Sequence, residues 1–398
     1  MLQSKEMNKT KKSLSTKKTT SSKSKADSKG QRRPETRSQP FAAKDQDVTP
    51  NELPLELQQL LLNIFANCLH DPNTRDLLEV LQEVKGHLYN RDFAAAFGQD
   101  EYLRAYALRW STSRALGYLR LLDGVFKDYF DDGSDDNIGS ETIKIAFVGG
   151  GAGAELVALA GVVKLRSKQA TDADLEHELK EPSIEERSTS LRPLVDAVFV
   201  DIADWNAIIQ ALHRGATTAP PISAYASAAA KAANVPLLPS TSIHSSFQRH
   251  DVLSLSGDEL KNVGAGKQLI TIFFTLNELY TASLPKTRKF LLELTQRVDE
   301  GTLLLVIDSA GSYSTVTLNG HEKKYPMHWL LDHTLLQPPA AEKSSADDED
   351  ARKAKREWQP SWEKLQEKES EWFRIPEGLR YPLELENMRY QLHLYRRL

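Results

Sequence analysis

The sequence predicts an α/β fold, a doubly wound and mostly parallel sheet behind a helical lead-in and a basic tail. Three observations predict it. Residues 147–156, FVGGGAGAEL, set four glycines into five positions directly after the apolar run Ile143 to Val148. After residue 141 short β-like runs alternate with helical patterns, the order of parallel strands joined by crossover helices. Before it, from Leu53 to Phe130, apolar residues recur at helical spacing.

The chain has 398 residues, 40% of them hydrophobic, enough for one large domain or two ordinary ones. Residues 1–40 hold twelve Lys or Arg against three Asp or Glu, a net of +9, which leaves −13 on the rest of a chain whose formal charge is −4. Bulk positive charge therefore does not grip a partner for the folded part, whereas the tail attracts phosphate. The stretch NKTKKSLSTKKTTSSKSKADSKGQRRPETRSQP has almost no apolar residues to offset its ordering entropy, so residues 1–48 are expected to be disordered. Two readings of this tail are open, a solvated extension and a nuclear or nucleolar address that also attracts RNA; the address is preferred.

The single cysteine, Cys68, excludes an internal disulfide and a multi-cysteine zinc site and fits a reducing compartment. No metal site is expected. The N-terminus lacks the apolar core of a signal peptide, and residues 145–163 form the one membrane-like window. Its five glycines and Glu155 favour a buried strand, a turn and a helix instead. The expectation is a soluble, intracellular, monomeric chain without a membrane partner.

Taken in order, a helical subdomain of about four helices is expected over 49–138. Leu57, Leu60, Leu61, Ile64 and Phe65 mark the first, Leu77, Leu78, Leu81 and Val84 the next, and Leu116, Leu119, Leu122, Val125 and Phe126 the last. The acidic turn DDGSDDNIGSE closes it. In the second domain, 139–398, the expected strands are TIKIAFVG, VDAVFVDI, FQRHDVLS, QLITIFFT and TLLLVIDS, with NMRYQLHLYRRL as a closing strand. Helices are expected over Ala154 to Leu165, Trp205 to His213 and Lys286 to Val298. Polar insertions at 167–190, 214–245 and 340–370 interrupt the pattern.

Between a buried strand and a helix, Gly149, Gly150, Gly151 and Gly153 form the first βα turn of a doubly wound sheet, where nucleotides bind. Missing side chains let backbone approach a ligand, and the following helix N-terminus favours an anionic group. Tight packing alone is the competing reason for such a turn. VFVDIADW ends a strand with Asp201, placed to accept both ribose hydroxyls of an adenosine. RHDVLSL puts Asp251 after the next strand, suited to the adenine amino group; Ile202 and Val252 adjoin these two in the same candidate site. Either aspartate alone is equally well explained as a strand end or helix cap. Together with the glycines, and with no Lys or Arg in the turn to grip a pyrophosphate, they favour S-adenosylmethionine (SAM), which carries a sulfonium and no phosphate.

The sequence resembles the eukaryotic, mainly fungal, family of large-subunit (25S) ribosomal RNA uridine methyltransferases that modify ring nitrogen 3, a SAM-dependent methyltransferase family. The resemblance covers about residues 55–398 and is carried by YALRWSTSRALGY, AFVGGGAGAELVALAG, VDIADW, FFTLNELY, YPMHWLLDHTLL and, most distinctively, ESEWFRIPEGLRYPLELENMRYQLHLYRR. It implies a class I, Rossmann-like methyltransferase sheet, rRNA or a pre-ribosome as partner, and a nuclear or nucleolar setting. Gly149, Gly151, Gly153, Asp201 and Asp251 match the cofactor positions of that fold. Two departures stand out. The acid usual two places before the first glycine is Phe147 here, which Glu155 beyond the turn is expected to replace toward the methionine amino group, and the insertion before Asp201 breaks the usual spacing.

The resemblance places the end of the fourth strand, FFTLNELYTAS, beside the transferable methyl, with Thr275 at the cofactor and Asn277 and Glu278 at the acceptor; helix capping is the plainer role for the last two. Uridine N3 is protonated at neutral pH, so a base must take its proton as the methyl moves in. Glu278 is the first candidate, with Asn277 on a uracil carbonyl; Asp308 is second, and His244, His250 and His328 follow. Trp110, with Arg114 one helical turn on, is the candidate RNA-stacking pair, against a core Trp and a surface Arg. The rival functions are an NAD-dependent dehydrogenase, a protein or small-molecule methyltransferase, and a non-catalytic assembly factor. The dehydrogenase is disfavoured because no separate catalytic domain follows the glycine turn.

Overall fold

The computed structural model describes residues 53–70, 75–131, 142–177, 195–318, 321–337 and 359–398. The basic tail, the acidic turn and most of the 340–370 insertion lie outside them. The lead-in comprises α1 (Leu55–Leu69), α2 (Leu77–Tyr89), α3 (Phe93–Ala96), α4 (Asp100–Tyr106), a π-helical turn (Ala107–Ser111) and α5 (Thr112–Tyr129). Residues from Asn51 onward form one compact unit. Leu61, Phe65, Leu116 and Leu119 of α1 and α5 share one hydrophobic core with Ile145 and Phe147 of the sheet.

The sheet follows the expected alternation: β1 (Ile143–Val148), α6 (Ala154–His177), β2 (Val195–Asp201), α7 (Asn206–Thr217), α8 (Ala228–Ala232), β3 (Ile243–Arg249), α9 (Gly257–Gly264), β4 (Leu269–Phe273), α10 (Leu276–Thr295) and β5 (Leu303–Ser309). A hairpin follows, β6 (Tyr313–Leu318) and β7 (His321–Pro326), then α11 (Met327–Leu335), β8 (Trp362–Phe373) and β9 (Met388–Arg397). The seven-stranded order is β3-β2-β1-β4-β5-β9-β8, with β9 antiparallel to both its neighbours. This is the class I sheet that the resemblance implies. Helices cover both faces, so the inner strands are mostly apolar, with polar residues such as Lys144, Asp201 and Asp308 near their ends. Ile145 and Phe147 enter the core under α1, α5, α6 and α7, while Ala146 and Val148 enter the one under α10 and α11. Phe147 stacks on its cross-strand partner Phe199, ring centroids 4.9 Å apart.

Several boundaries differ from expectation for identifiable reasons. β3 is IHSSFQR rather than FQRHDVLS, because its polar residues suit a sheet edge and carry little apolar signal. α6 runs on to His177, into the expected insertion. α10 begins at Leu276 and breaks at Ser283 before Pro285, so only its second half coincides with the expected helix. Charge-rich β8, with two irregularities in its pairing, occupies the end of the third insertion.

The most distinctive stretch of the sequence, ESEWFRIPEGLRYPLELENMRYQLHLYRR, meets YALRWSTSRALGY in space. Arg109 of the π-turn is buried and donates to the Glu384 carbonyl (3.0 Å) and to the Glu386 carboxylate. The Tyr381 hydroxyl donates to the Leu108 carbonyl (3.0 Å), and the Glu386 amide to Ser113 Oγ (2.9 Å). The loop between β8 and β9 is thereby fastened onto the lead-in.

Candidate active site

The strand order reverses direction between β1 and β4, which makes the carboxyl ends of these two strands the switch point at which ligands bind in open α/β sheets. Along that rim stand Asp251 after β3, Asp201 ending β2, the glycine turn after β1, Thr275 to Glu278 after β4 and Asp308 in β5. The topology thus gathers most of the expected site residues from a span of more than 150 positions on one edge.

Gly149 and Gly153 have φ of +79° and +81°, a conformation that side chains disfavour. Space is a second constraint. A Cβ on Gly149 would overlap Thr275, one on Gly151 the Trp205 indole, and one on Gly153 Leu212. Neighbouring side chains of this chain fill the room beside these glycines, a different reason for their smallness from the ligand approach expected at first. Trp205 is 2% exposed and packs against Phe97 and Tyr106, so the lead-in supports the turn through an aromatic cluster.

Asp201 is half-buried. Its carboxylate accepts from the Gly151 amide (3.2 Å) and the Ala203 amide (3.1 Å), tying β2 to the turn. Burial raises its pKa, against the lowering effect of those amides. Each oxygen retains acceptor capacity for a hydroxyl. Asp251 accepts from the Leu253 amide (3.0 Å) and Ser254 Oγ (2.9 Å) and shapes its own loop; Val252 beside it is buried and Ile202 is exposed.

Phe147, in place of the usual acid, is fully buried in the core. Glu155 in the first turn of α6 supplies a carboxylate instead. It is 5% exposed, and its carboxyl carbon is 3.6 Å from where a Cβ on Gly150 would stand. Burial pushes its pKa up to about 7, opposed by a backbone hydrogen bond and by the charge of Arg114. Arg114 reaches from α5 over the Phe274 ring at 5.0 Å and donates to the Tyr106 hydroxyl at 2.9 Å. Burial alone would lower its pKa, but Tyr106, Tyr118 and Glu155 reverse that and hold the guanidinium charged. Trp110 is half-buried against Tyr106, ring centroids 5.0 Å apart, so the two residues expected to act as a stacking pair meet only through Tyr106.

Beyond β4, Phe274 has φ of +51°, rare for a large side chain. Its amide donates to the Ile307 carbonyl (2.7 Å) and its ring stacks against Tyr118. Strain of this kind costs about 1–3 kcal/mol and clusters at functional sites. No periodicity in the sequence marks it. Thr275 Oγ1 donates to the Phe273 carbonyl (2.9 Å).

The base candidates separate clearly. Asp308 is 3% exposed; its Oδ2 accepts the Asn277 amide (3.0 Å) and its Oδ1 the Ser309 amide (2.7 Å) and Ser312 Oγ (3.2 Å). Burial raises its pKa against these donors. It therefore caps the start of α10, whose first amides have no partners within the helix, and positions Asn277 and Glu278. Glu278 is partly exposed, with Arg91 of the lead-in 4.0 Å from its carboxylate. His244 pairs with Asp196 (2.7 Å) near the opposite, amino end of the parallel strands. His250 lies 3.7 Å from Glu259, and His328 stacks on buried His393.

Residues 63–396 match the family described as "Putative SAM-dependent methyltransferase". The chain belongs to that family. This methyltransferase is 33% identical over 336 residues to the 25S rRNA (uridine(2843)-N(3))-methyltransferase of Saccharomyces cerevisiae, covering 82% of this chain and 79% of the yeast protein. Among solved structures it is similar to a SAM-dependent methyltransferase of Methanosarcina mazei (9% identity, TM-score 0.31, 69% of this chain and 97% of that one). It is also similar to an S-adenosylmethionine-dependent methyltransferase of Clostridium acetobutylicum (9% identity, TM-score 0.30, 78% and 98%). The methyltransferase uses SAM as its cofactor, and the chemistry of the rim suits such a molecule: Asp201 and Asp251 offer carboxylates that can accept from hydroxyls or an amine, and Glu155 and Arg114 a carboxylate and a guanidinium of the charges that complement an amino acid.

Proposed function

We propose that this methyltransferase modifies N3 of a uridine in large-subunit ribosomal RNA. Its identity to the yeast enzyme of that activity carries the reading, and an accessible carboxylate on the rim, Glu278, supports it, because a uracil imide must lose its proton to be methylated. SAM, when bound, supplies a methyl group on a sulfonium. Glu155 receives the methionine ammonium and Arg114 its carboxylate; Asp201 holds the ribose hydroxyls and Asp251 faces the adenine. Asn277 donates to a uracil carbonyl, Glu278 takes the N3 proton, and Asp308 fixes both on α10. Mass mapping of nucleosides in rRNA from cells lacking this chain tests the proposal: loss of one 3-methyluridine is expected, and an unchanged nucleoside profile would refute it.

The buried Glu155 gives a pH signature. Because its carboxyl must be ionised to receive an ammonium, SAM affinity is expected to rise as pH passes through about 7. It should be about tenfold weaker one unit below, and Glu155→Gln should be weak and flat across the range. Stability moves the other way. A carboxylate raised from 4.5 to about 7 favours the fold below pH 4.5, and that contribution is lost as pH rises through 7, a cost of roughly 3 kcal/mol. Melting without cofactor should therefore show Glu155→Gln gaining on the parent between pH 5 and 8. Calorimetry showing pH-independent SAM affinity in the parent would contradict the assignment.

The tail of residues 1–40 is proposed as a nuclear or nucleolar address. A fluorescent fusion lacking it should lose that enrichment while the protein binds SAM normally. Its attraction for RNA should fall steeply with salt.

A further inference from the structure

Trp372, the penultimate residue of β8, is 41% exposed. Its neighbour Phe373 turns into the core beside Met388, so by strand alternation Trp372 faces outward on the opposite side of the sheet. Two exposed arginines lie against it. The Arg374 and Arg389 guanidinium carbons are 5.3 and 5.9 Å from the indole centroid, and Arg389 Nε donates to Ser370 Oγ at 3.0 Å. Arg389 is the direct cross-strand partner of Trp372, whereas Glu371 pairs with Tyr390 and so faces the other way.

The position matters as much as the chemistry. β8 runs parallel to β5 with β9 between them, and Tyr390 pairs with Ser309 on one side and Glu371 on the other. Trp372 thus stands one residue beyond the level of Ser309, on the same rim as Asp308 and the start of α10. Two strand spacings, about 10 Å, separate it from β5. An edge strand needs charge to discourage pairing, and the exposed Glu363, Lys368 and Glu369 already provide that. An exposed indole between two guanidiniums serves instead the two features of unstacked RNA, a π-face and a phosphate.

We propose that Trp372, Arg374 and Arg389 form a stacking platform for a base close to the acceptor nucleotide of the RNA substrate. The inference rests on the RNA methyltransferase reading above. Exposed cation–π contacts are weak, so a base displaces one guanidinium from the indole and leaves it on the flanking phosphate. Stacking of bases on aromatic side chains is sequence-tolerant, and the platform positions the strand while the acceptor pocket selects uracil.

The test uses the full chain with saturating S-adenosylhomocysteine and labelled single-stranded oligouridine, read by anisotropy. Trp372→Ala should weaken binding by about 5- to 100-fold, and Trp372→Phe should retain most of the affinity. Arg374→Gln with Arg389→Gln should reduce the salt slope by about 0.7, the value of one phosphate contact on a single strand. Tyr225→Ala, an exposed aromatic in the loop before α8, should change nothing, and cofactor affinity and melting temperature should hold in all variants. If the parent binds RNA and methylates rRNA while Trp372→Ala does so equally well, the platform is refuted and the activity stands; the surface then serves another partner, such as a protein. If the parent neither binds nor methylates RNA, both the platform and the functional reading fall.

Discussion

Glu278→Gln should leave SAM binding intact and reduce methyl transfer by about 10² to 10⁴ at neutral pH. The uracil imide keeps its proton at pH 7, and water accepts it poorly. Of the two carboxylates beside the start of α10, Asp308 is committed: its oxygens accept two amides and a hydroxyl, and it is almost fully buried. Glu278 is the accessible one, and its ion pair to Arg91 is long, an exposed interaction worth about 1 kcal/mol or less. Glutamine keeps the shape and removes the acceptor, so the deficit should shrink at alkaline pH as the imide ionises without help. Asp308→Asn provides the contrast. It should disturb the α10 cap and lower stability and turnover together, with no such recovery. Single-turnover assays across pH on an rRNA fragment separate the two; a Glu278→Gln protein as fast as the parent at neutral pH would remove Glu278 from the role.

What the sequence discloses of this site follows from how local each determinant is. The glycine turn, the buried strand before it, the buried strand that ends at Asp201, and the start of the β4 rim are legible because each is a contiguous apolar run followed by its own punctuation. β3 and β8 are edge strands, and their residues answer to solvent on one side, so the start of IHSSFQR and most of WEKLQEKESEWF read as the ends of polar insertions, and the third strand is expected a few residues late, as FQRHDVLS. The relations that give residues their roles are not local at all. Asp308 caps a helix that begins 32 positions earlier in the chain, and Arg114, which looks like a partner of Trp110 by helical spacing, reaches Phe274 and the Glu155 field instead. A spacing of four locates two side chains on one helix face; it does not say which of their neighbours they choose. The positive φ of Phe274 has no signature in composition or periodicity, since large side chains take it only where surrounding structure compels them.

Gly151→Leu should weaken SAM binding by about 100-fold, the upper end of what overpacking costs, and the structure changes the reason for it. The sequence alone explains a glycine-rich turn by the ligand space that a side chain would fill, yet a Cβ at this position would strike the Trp205 indole, which packs against Phe97 and Tyr106. The Gly151 amide also donates to Asp201, so any shift of the turn moves the carboxylate assigned to the ribose. A buried tryptophan held by two aromatic neighbours yields little, and overpacking of such a site typically costs about 1–3 kcal/mol. Gly151→Ala carries the same conflict in milder form. Its φ is not in the left-handed region, so backbone strain does not confuse the comparison. The decisive measurement is a double-mutant cycle with Trp205→Ala. If the indole is the obstacle, Gly151→Ala should cost about tenfold in SAM affinity in the parent and under about threefold once the indole is removed, since 1.4 kcal/mol corresponds to tenfold. Additive losses by calorimetry, in variants that melt cooperatively, would return the glycine to the ligand and take Trp205 out of the explanation.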